Sequence, residues 1–78
     1  MTESAAVQAG DRAYRCYREL ISFVEVHGYV PSLAELGLRV GRAPSTVARY
    51  LDRLEEVGLV ERKGRRARGI IIKVDPDA

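Results

Sequence analysis

The side chains best suited to chemistry in this sequence are arginines and small hydroxyl groups, and they lie in its second half. Ser45, Thr46 and Arg49 stand close together within the segment 41–58, GRAPSTVARYLDRLEEVG. A guanidinium can bind guanine through two parallel hydrogen bonds, and hydroxyl groups can contact base edges or phosphate. A second basic group follows this segment and consists of Arg65, Arg66 and Arg68. Both groups indicate a polyanionic ligand, with DNA as the first candidate.

Catalytic and metal chemistry have little support, because the 78 residues contain one cysteine and one histidine. These two residues cannot form a cluster of metal ligands. A Ser–His–Asp set has only His27 to draw on, and the sequence has no glycine-rich phosphate loop. Cys16 falls on an apolar helix face, where a buried, unreactive thiol is expected. We therefore expect no enzyme activity, no metal and no cofactor.

The net charge of +2 hides a strong asymmetry along the chain. Residues 1–38 carry three basic and five acidic side chains, whereas residues 39–73 carry ten basic and four acidic ones. The last five residues add two more acidic side chains. A basic half on a small domain favours a polyanionic partner, although a solvated surface can have the same composition.

A helix places the polar groups of the segment 41–58. Val47, Leu51 and Leu54 recur at i, i+4 and i+7, which puts them on one apolar stripe. Pro44 suits the first helical position and Gly58 suits a left-handed residue after the helix end, so the sequence predicts a helix over residues 44–57. The opposite face and its flank carry Ser45, Thr46, Arg49, Asp52, Arg53 and Glu56.

A shorter helix precedes it. Ser32 and Glu35 have the spacing of a capping box, and the helix should run from Leu33 to about Val40 and stop at Gly41. Its buried residues should be Leu33, Leu36 and Val40. Two helices joined by a turn of about three residues that contains glycine predict a helix-turn-helix, whose second helix enters the DNA major groove.

The first helix should cover residues 12–27, with Asp11 as its N-cap and Gly28 as its stop. Phe23 widens an apolar face that consists of Ala13, Cys16, Tyr17, Leu20, Ile21 and Val24. Residues 1–10 are expected to form a flexible tail. Residues 29–31 form an extended link, in which a strand of two or three residues is compatible with the sequence.

After Gly58 the hydrophobic period changes from 3.6 to 2, which predicts strands over residues 59–63 and 69–74. The polar, basic segment 64–68 between them has no core role and would form the tip of a β-hairpin. Three helices followed by this hairpin predict a mainly α winged helix-turn-helix over residues 11–74, with segment 64–68 as the wing. Residues 75–78 should be a frayed tail.

Several motifs resemble the DNA-binding domain of LexA-type repressors over residues 13–73. The matching motifs are GYVPS at 28–32, EL at 35–36, VG at 40–41, STV at 45–47, LDRLE at 51–55 and GLV at 58–60. The resemblance implies that Ser45, Thr46, Ala48 and Arg49 read bases and that the wing lies on the DNA backbone. Arg49 stands where other members carry a smaller or acidic group, so an operator sequence is not carried over.

The chain ends at Ala78 without the self-cleaving, dimerising C-terminal domain of that family. The resemblance therefore implies neither autoproteolysis nor a response to DNA damage, and a free-standing regulator and a fragment both remain open. The expected partner is double-stranded DNA, with a homodimer on DNA left open and no small-molecule ligand. Without a signal peptide or a membrane-spanning run, the expected location is the cytoplasm.

Further contacts to phosphate are expected around the predicted recognition helix. Arg39 and Arg42 flank the turn, Arg53 lies on the flank of the helix, and Tyr50 borders its apolar stripe. The wing arginines Arg65, Arg66 and Arg68 should contact phosphate or the minor groove. Together with the four base-reading positions, these residues make up the predicted DNA-binding surface of a transcriptional repressor.

Two other functions remain open from the sequence. One is an architectural, partition or excision factor that assembles cooperatively along DNA. The other is a winged-helix module for protein–protein interaction, against which the high charge argues, because the centres of protein interfaces are depleted in charge.

Overall fold

The computed structural model describes residues 10–64 and 68–73 and contains three helices followed by a hairpin. The elements are α1 (Asp11–His27), α2 (Leu33–Val40), α3 (Pro44–Glu56), β1 (Val60–Arg62) and β2 (Ile70–Ile72). The two strands are antiparallel, with Val60 opposite Ile72 and Arg62 opposite Ile70. This order confirms the winged helix-turn-helix.

The apolar stripe of α3 is the centre of the core. Val47, Leu51 and Leu54 are fully buried, as predicted, because α1, α2 and β1 pack against this helix. Leu20 of α1 and Leu36 of α2 are fully buried in the same core, and the hairpin contributes further apolar side chains. Because this apolar stripe is buried against the other elements, the opposite, polar face of α3 faces solvent.

Short contacts fix both ends of α2, and those at its C-terminal end hold the turn to α3 close to the helix. The capping box is present: the Ser32 hydroxyl accepts the Glu35 N–H at 3.1 Å, and the Glu35 carboxylate accepts the Ser32 N–H at 2.9 Å. At the other end, the Arg42 N–H donates to the Gly37 carbonyl at 3.0 Å. A Cβ atom on Gly37 would lie 2.5 Å from the Arg42 carbonyl oxygen, which leaves room only for glycine without a backbone shift.

The start of α1 differs from the prediction. Asp11 is the first helical residue and not its cap; Gly10 holds the cap position and offers no side-chain hydrogen bond. In the first turn, the Asp11 carboxylate still interacts favourably with the helix dipole. Phe23 was expected at the edge of the apolar face of α1, but it is buried and is a full member of that face.

The ends of α3 and the hairpin follow the sequence with small shifts. Ala43 provides no side-chain cap, and Gly58 has φ +84°, as the sequence predicts. The strands are shorter than predicted at both ends. The strand considered for residues 29–31 is not formed; the Val30 carbonyl instead accepts a hydrogen bond from the Arg68 side chain at 3.1 Å.

Candidate nucleic-acid interface

The exposed face of α3 presents the predicted base-reading residues together. Ser45 and Arg49 are exposed, and Thr46 and Ala48 are half-buried beside them. All four belong to the first two turns of the helix, since Pro44 is its first residue. These turns are the part of a recognition helix that enters the major groove first.

Acidic residues lie only on the second half of α3, and each has a positive or donor group against it. Asp52 pairs with Arg62 of β1 at 3.6 Å, and Glu56 pairs with Arg53 at 3.2 Å. The Glu55 carboxylate accepts the backbone N–H of Arg62 at 3.4 Å. These contacts reduce the negative potential that the end of the helix would otherwise present to DNA.

Within the part of the chain that the structure describes, Arg49 has no ion-pair partner. The ion pairs among residues 10–64 and 68–73 involve Arg39, Arg53, Arg62 and Arg68. Asp52, three residues along the helix, is the acid that could have paired with Arg49, but its carboxylate lies against Arg62. The guanidinium of Arg49 is therefore available to an external acceptor.

An open groove runs between the exposed face of α3 and the start of α1. Its walls include Thr46, Arg49, Tyr50 and Arg53, and Arg12 stands on the α1 side. A smaller depression adjoins it and is lined by Arg12, Arg15, Val40, Arg42 and Tyr50. Tyr50 lines both, so the depression that contains Arg42 adjoins the groove that contains Thr46 and Arg49.

Arg12 and Arg15 were not among the predicted site residues. In the sequence they belong to the outer face of an amphipathic helix, which is usually only solvated. Their spacing of three residues at the beginning of α1 was the available signal, because it puts both side chains on one side of the helix. Only the crossing of α1 over α3 brings Arg12 to the groove and Arg15 to the depression that adjoins it.

Arg39 lies elsewhere. Its guanidinium donates to Glu19 at 3.2 Å and to the Ser22 hydroxyl at 3.3 Å, and it lies 5.6 Å from the centre of the Phe23 ring. All three partners belong to α1, so Arg39 joins α2 to α1. The structure brings this arginine neither to the groove nor to the depression that adjoins it.

The predicted wing arginines separate into two groups. Arg65 and Arg66 lie outside the described residues, and their phosphate contacts stay a prediction. Arg68 is described and forms an ion pair with Glu35. This hydrogen-bonded pair, with a further contribution from the Ser32 N–H, lowers the pKa of Glu35 from 4.5 to about 2. The same bond raises the pKa of Arg68, so both groups are charged at neutral pH.

The remaining titratable candidates have structural roles. Cys16 is fully buried, and burial, with the nearby charge of Glu19, raises its pKa to about 12, so the thiol stays protonated. The His27 ring lies 4.2 Å from that of Phe23. Across the described ranges, no three His, Cys, Asp or Glu side chains are grouped closely enough to hold a metal ion. In the same ranges, no helix has the length and apolar character needed to cross a bilayer.

Comparison with known proteins gives the surface a family context. A LexA repressor of Roseiflexus sp. (strain RS-1) is 40% identical over 73 residues, which cover 86% of this chain and 33% of the repressor. A LexA repressor of Exiguobacterium sibiricum is 44% identical over 57 residues, which cover 72% and 28%. An HTH-type transcriptional regulator of Mycobacterium tuberculosis is 43% identical over 65 residues, which cover 83% and 24%.

The chain spans about a third or less of the length of these relatives. The sequence profile of the LexA DNA binding domain matches residues 12–69, from the first turn of α1 to the residue before β2. The match includes the helix-turn-helix, the groove beside α3 and the base of the hairpin. The chain therefore belongs to the LexA DNA-binding-domain family.

Proposed function

We propose that this chain binds double-stranded DNA with sequence preference and acts as a transcriptional repressor, with α3 in the major groove and the wing on the backbone or in the minor groove. The observation that carries the proposal is the division of α3 into two halves. Its first turns expose Ser45 and Arg49, and Arg49 forms no ion pair within the described residues, while Asp52 and Glu56 of its second half are paired with arginines. The repressor role comes from the names of the relatives.

The groove supplies the sequence-independent part of the binding. Arg12 lines the groove, Arg15 and Arg42 line the depression that adjoins it, and all three lie beside the base-reading positions rather than among them. Positive groups in such a position suit the phosphates on either side of the major groove, which supply much of the affinity and its dependence on salt. Arg65 and Arg66 would add phosphate contacts from the wing.

A single domain of this size reads one half-site, and high affinity usually needs a second copy on a neighbouring half-site. We therefore propose binding as a homodimer on an inverted repeat. A DNA ligand also places the working site in the cytoplasm, on the nucleoid in a bacterial cell.

The experiment that tests the proposal is selection of bound duplexes from a random pool, followed by titration of the selected duplexes from low to high salt. A recovered inverted repeat supports a specific regulator and its dimeric arrangement together. Steep salt dependence without a motif would favour the architectural alternative, with cooperative filling of long DNA. Failure to retain any duplex at low salt would contradict DNA binding and favour a protein partner.

The role of Arg49 is tested by Arg49→Ala on the selected duplex and on random DNA. Loss of a bidentate contact to guanine should cost about 1–3 kcal/mol on the selected duplex and much less on random DNA. Arg18→Ala is a matched control, because it removes the same charge from α1 outside the groove. Equal losses on both DNAs would remove Arg49 from base reading.

The wing is tested in the same titrations. Arg65→Ala and Arg66→Ala should weaken binding to both DNAs alike, and each should reduce the slope of log affinity against log salt by about one. A loss confined to the selected duplex would instead assign base contacts to the wing.

A further inference from the structure

One arginine connects the wing to the beginning of the helix-turn-helix. The two terminal nitrogens of Arg68 donate to the two carboxylate oxygens of Glu35, with Nη2 at 2.9 Å from Oε2. The residues are 33 positions apart, on the hairpin and in the first turn of α2. This fork-to-fork geometry fixes direction as well as distance, because both hydrogen bonds must align at once.

The same side chain makes two more contacts to the link before α2. Its Nη1 donates to the Val30 carbonyl at 3.1 Å, and its guanidinium lies 5.0 Å from the centre of the Tyr29 ring. On the hairpin side, Gly69 follows directly, and its carbonyl accepts the Lys63 N–H at 2.7 Å to close the base of the wing. Arg68 therefore joins the closing hydrogen bond of the wing to the N-terminal end of α2.

Glu35 is shared between this contact and the capping box. Its Oε1 accepts the Ser32 N–H at 2.9 Å as well as a bond from Arg68. The carboxylate is ionised over the whole neutral range, since its pKa is about 2. A phosphate that approached Arg68 would have to compete with a carboxylate that already occupies both terminal nitrogens of the guanidinium.

We propose that Arg68 is a positioning residue of the DNA-binding surface, which holds the wing against the start of α2 through Glu35 instead of binding phosphate itself. The proposal rests on the DNA-binding function proposed above and adds how the wing is aimed. The orientation of α2 is set by its capping box and by packing, so the base of the wing, fixed to Glu35 at Arg68, has a defined position relative to α3. The base of the wing and the recognition helix then meet DNA in one arrangement, and binding avoids the loss of affinity that a partly populated position of this base would bring.

Glu35→Gln is the decisive variant. Glutamine is accepted at this position of a capping box, so the helix start is kept while the ion pair with Arg68 is lost. If Arg68 bound phosphate, removal of a negative charge and release of the arginine would leave affinity unchanged or raise it. Positioning predicts the opposite: affinity for the selected duplex should fall about three- to tenfold, a range set by the modest strength of exposed ion pairs and charged hydrogen bonds.

Two further variants separate geometry from charge. Arg68→Lys keeps the positive charge but cannot form the two-pronged contact, so it should lower affinity like Glu35→Gln. Glu25→Gln removes the same charge from an exposed position on α1 and should not lower affinity. Ser32→Ala weakens the cap without removing either member of the ion pair, so it reports the effect of α2 stability alone.

A second measurement needs no DNA. Hydrogen exchange of the Lys63 amide, which closes the base of the wing, should accelerate in Glu35→Gln and Arg68→Lys but not in Ser32→Ala or Glu25→Gln. Unchanged exchange together with unchanged or higher affinity in Glu35→Gln would overturn the positioning role. A wild-type protein that binds no duplex would overturn the proposed function, and the positioning role with it, whereas normal wild-type binding with unaffected variants overturns only the positioning role.

Discussion

The first turns of α3 and the base of the wing both expose an arginine on the predicted DNA-binding surface, but their surroundings differ. Within the described residues, Arg49 has no ion-pair partner, while Arg68 is bound to Glu35, to a backbone carbonyl and to an aromatic face. Two exposed residues of the same type therefore have different roles. Arg49 is available to an external acceptor, and Arg68 organises the surface from within.

The difference comes from where the acids lie. The carboxylate nearest to Arg49 along the helix, Asp52, lies against Arg62 from β1, so the hairpin keeps the first turns of α3 positive. Glu35 lies at the start of α2, where the helix dipole and the capping box stabilise its charge, and the returning strand brings Arg68 to it. The net charge of this surface therefore says less about which arginines are available to DNA than the pattern of ion pairs does.

Reversing the charge of Arg49 or Arg68 should give the largest difference between the two positions. Arg49→Glu should lower affinity for the selected duplex about 100-fold, because it removes a base contact and adds a repulsive charge. Its free energy of unfolding should change by no more than about 0.5 kcal/mol, as is usual for an exposed position. Arg68→Glu should lower both affinity and melting temperature, because it places two carboxylates together. Equal melting temperatures for the two variants would show that the Arg68 contact adds no stability.

Gly37→Ala should disturb α3 without touching an arginine. The added methyl group would lie 2.5 Å from the Arg42 carbonyl oxygen, so the turn must move away from α2. Overpacking of this kind costs about 1–3 kcal/mol of unfolding free energy, measurable by urea denaturation. Affinity for the selected duplex should also fall, since the position of α3 changes. Leu38→Ala, at an exposed position on the same helix, should leave both properties near wild type.

Lowering the pH should weaken the contact of Arg68, because its partner Glu35 is titratable, whereas Arg49 has no ion-pair partner to lose within the described residues. The folded state holds the pKa of Glu35 at about 2, below its ordinary value of 4.5, so its ion pair stabilises the protein above pH 4.5. This stabilisation should be lost as the pH falls from about 4.5 to about 2. The difference in unfolding free energy between wild type and Glu35→Gln should therefore shrink over this range. A difference between the two proteins that does not change with pH would contradict the role of the ionised carboxylate.

The sequence was sufficient for the parts of the molecule that depend on local pattern. The stripe of α3, the capping box at Ser32 and the left-handed Gly58 follow from spacing and residue type, and the structure confirms all three. The Asp11 cap was wrong because the helix starts one residue earlier than the prediction, which left the cap position to Gly10. Helix ends are set by small energy differences that a single polar residue does not decide.

The site was less predictable than the fold, because pairing between distant residues does not appear in a local pattern. The proximity of Arg68 to Glu35 depends on the return of the hairpin to α2, and the place of Arg12 in the groove depends on how α1 crosses α3. Arg39 was expected at phosphate for its position beside the turn, but its side chain points back to α1. Tertiary contacts decide which charged groups remain for a ligand.

The smallest effect should come from Asp52→Asn. This variant tests whether the ion pair with Arg62 neutralises the second half of α3. The change removes a carboxylate that lines the groove and leaves the positive charge of Arg62 unpaired, so the net charge near the groove rises by one. Affinity should rise about two- to threefold for selected and random DNA alike, with a steeper salt dependence, because the added charge acts on phosphate and not on bases. The exposed ion pair contributes at most about 1 kcal/mol, so the free energy of unfolding should fall only slightly. Glu61→Gln, on the exposed side of β1, is the matched change of charge away from the groove. A gain confined to the selected duplex would assign Asp52 or Arg62 to base reading and extend the specificity surface beyond the first turns of α3.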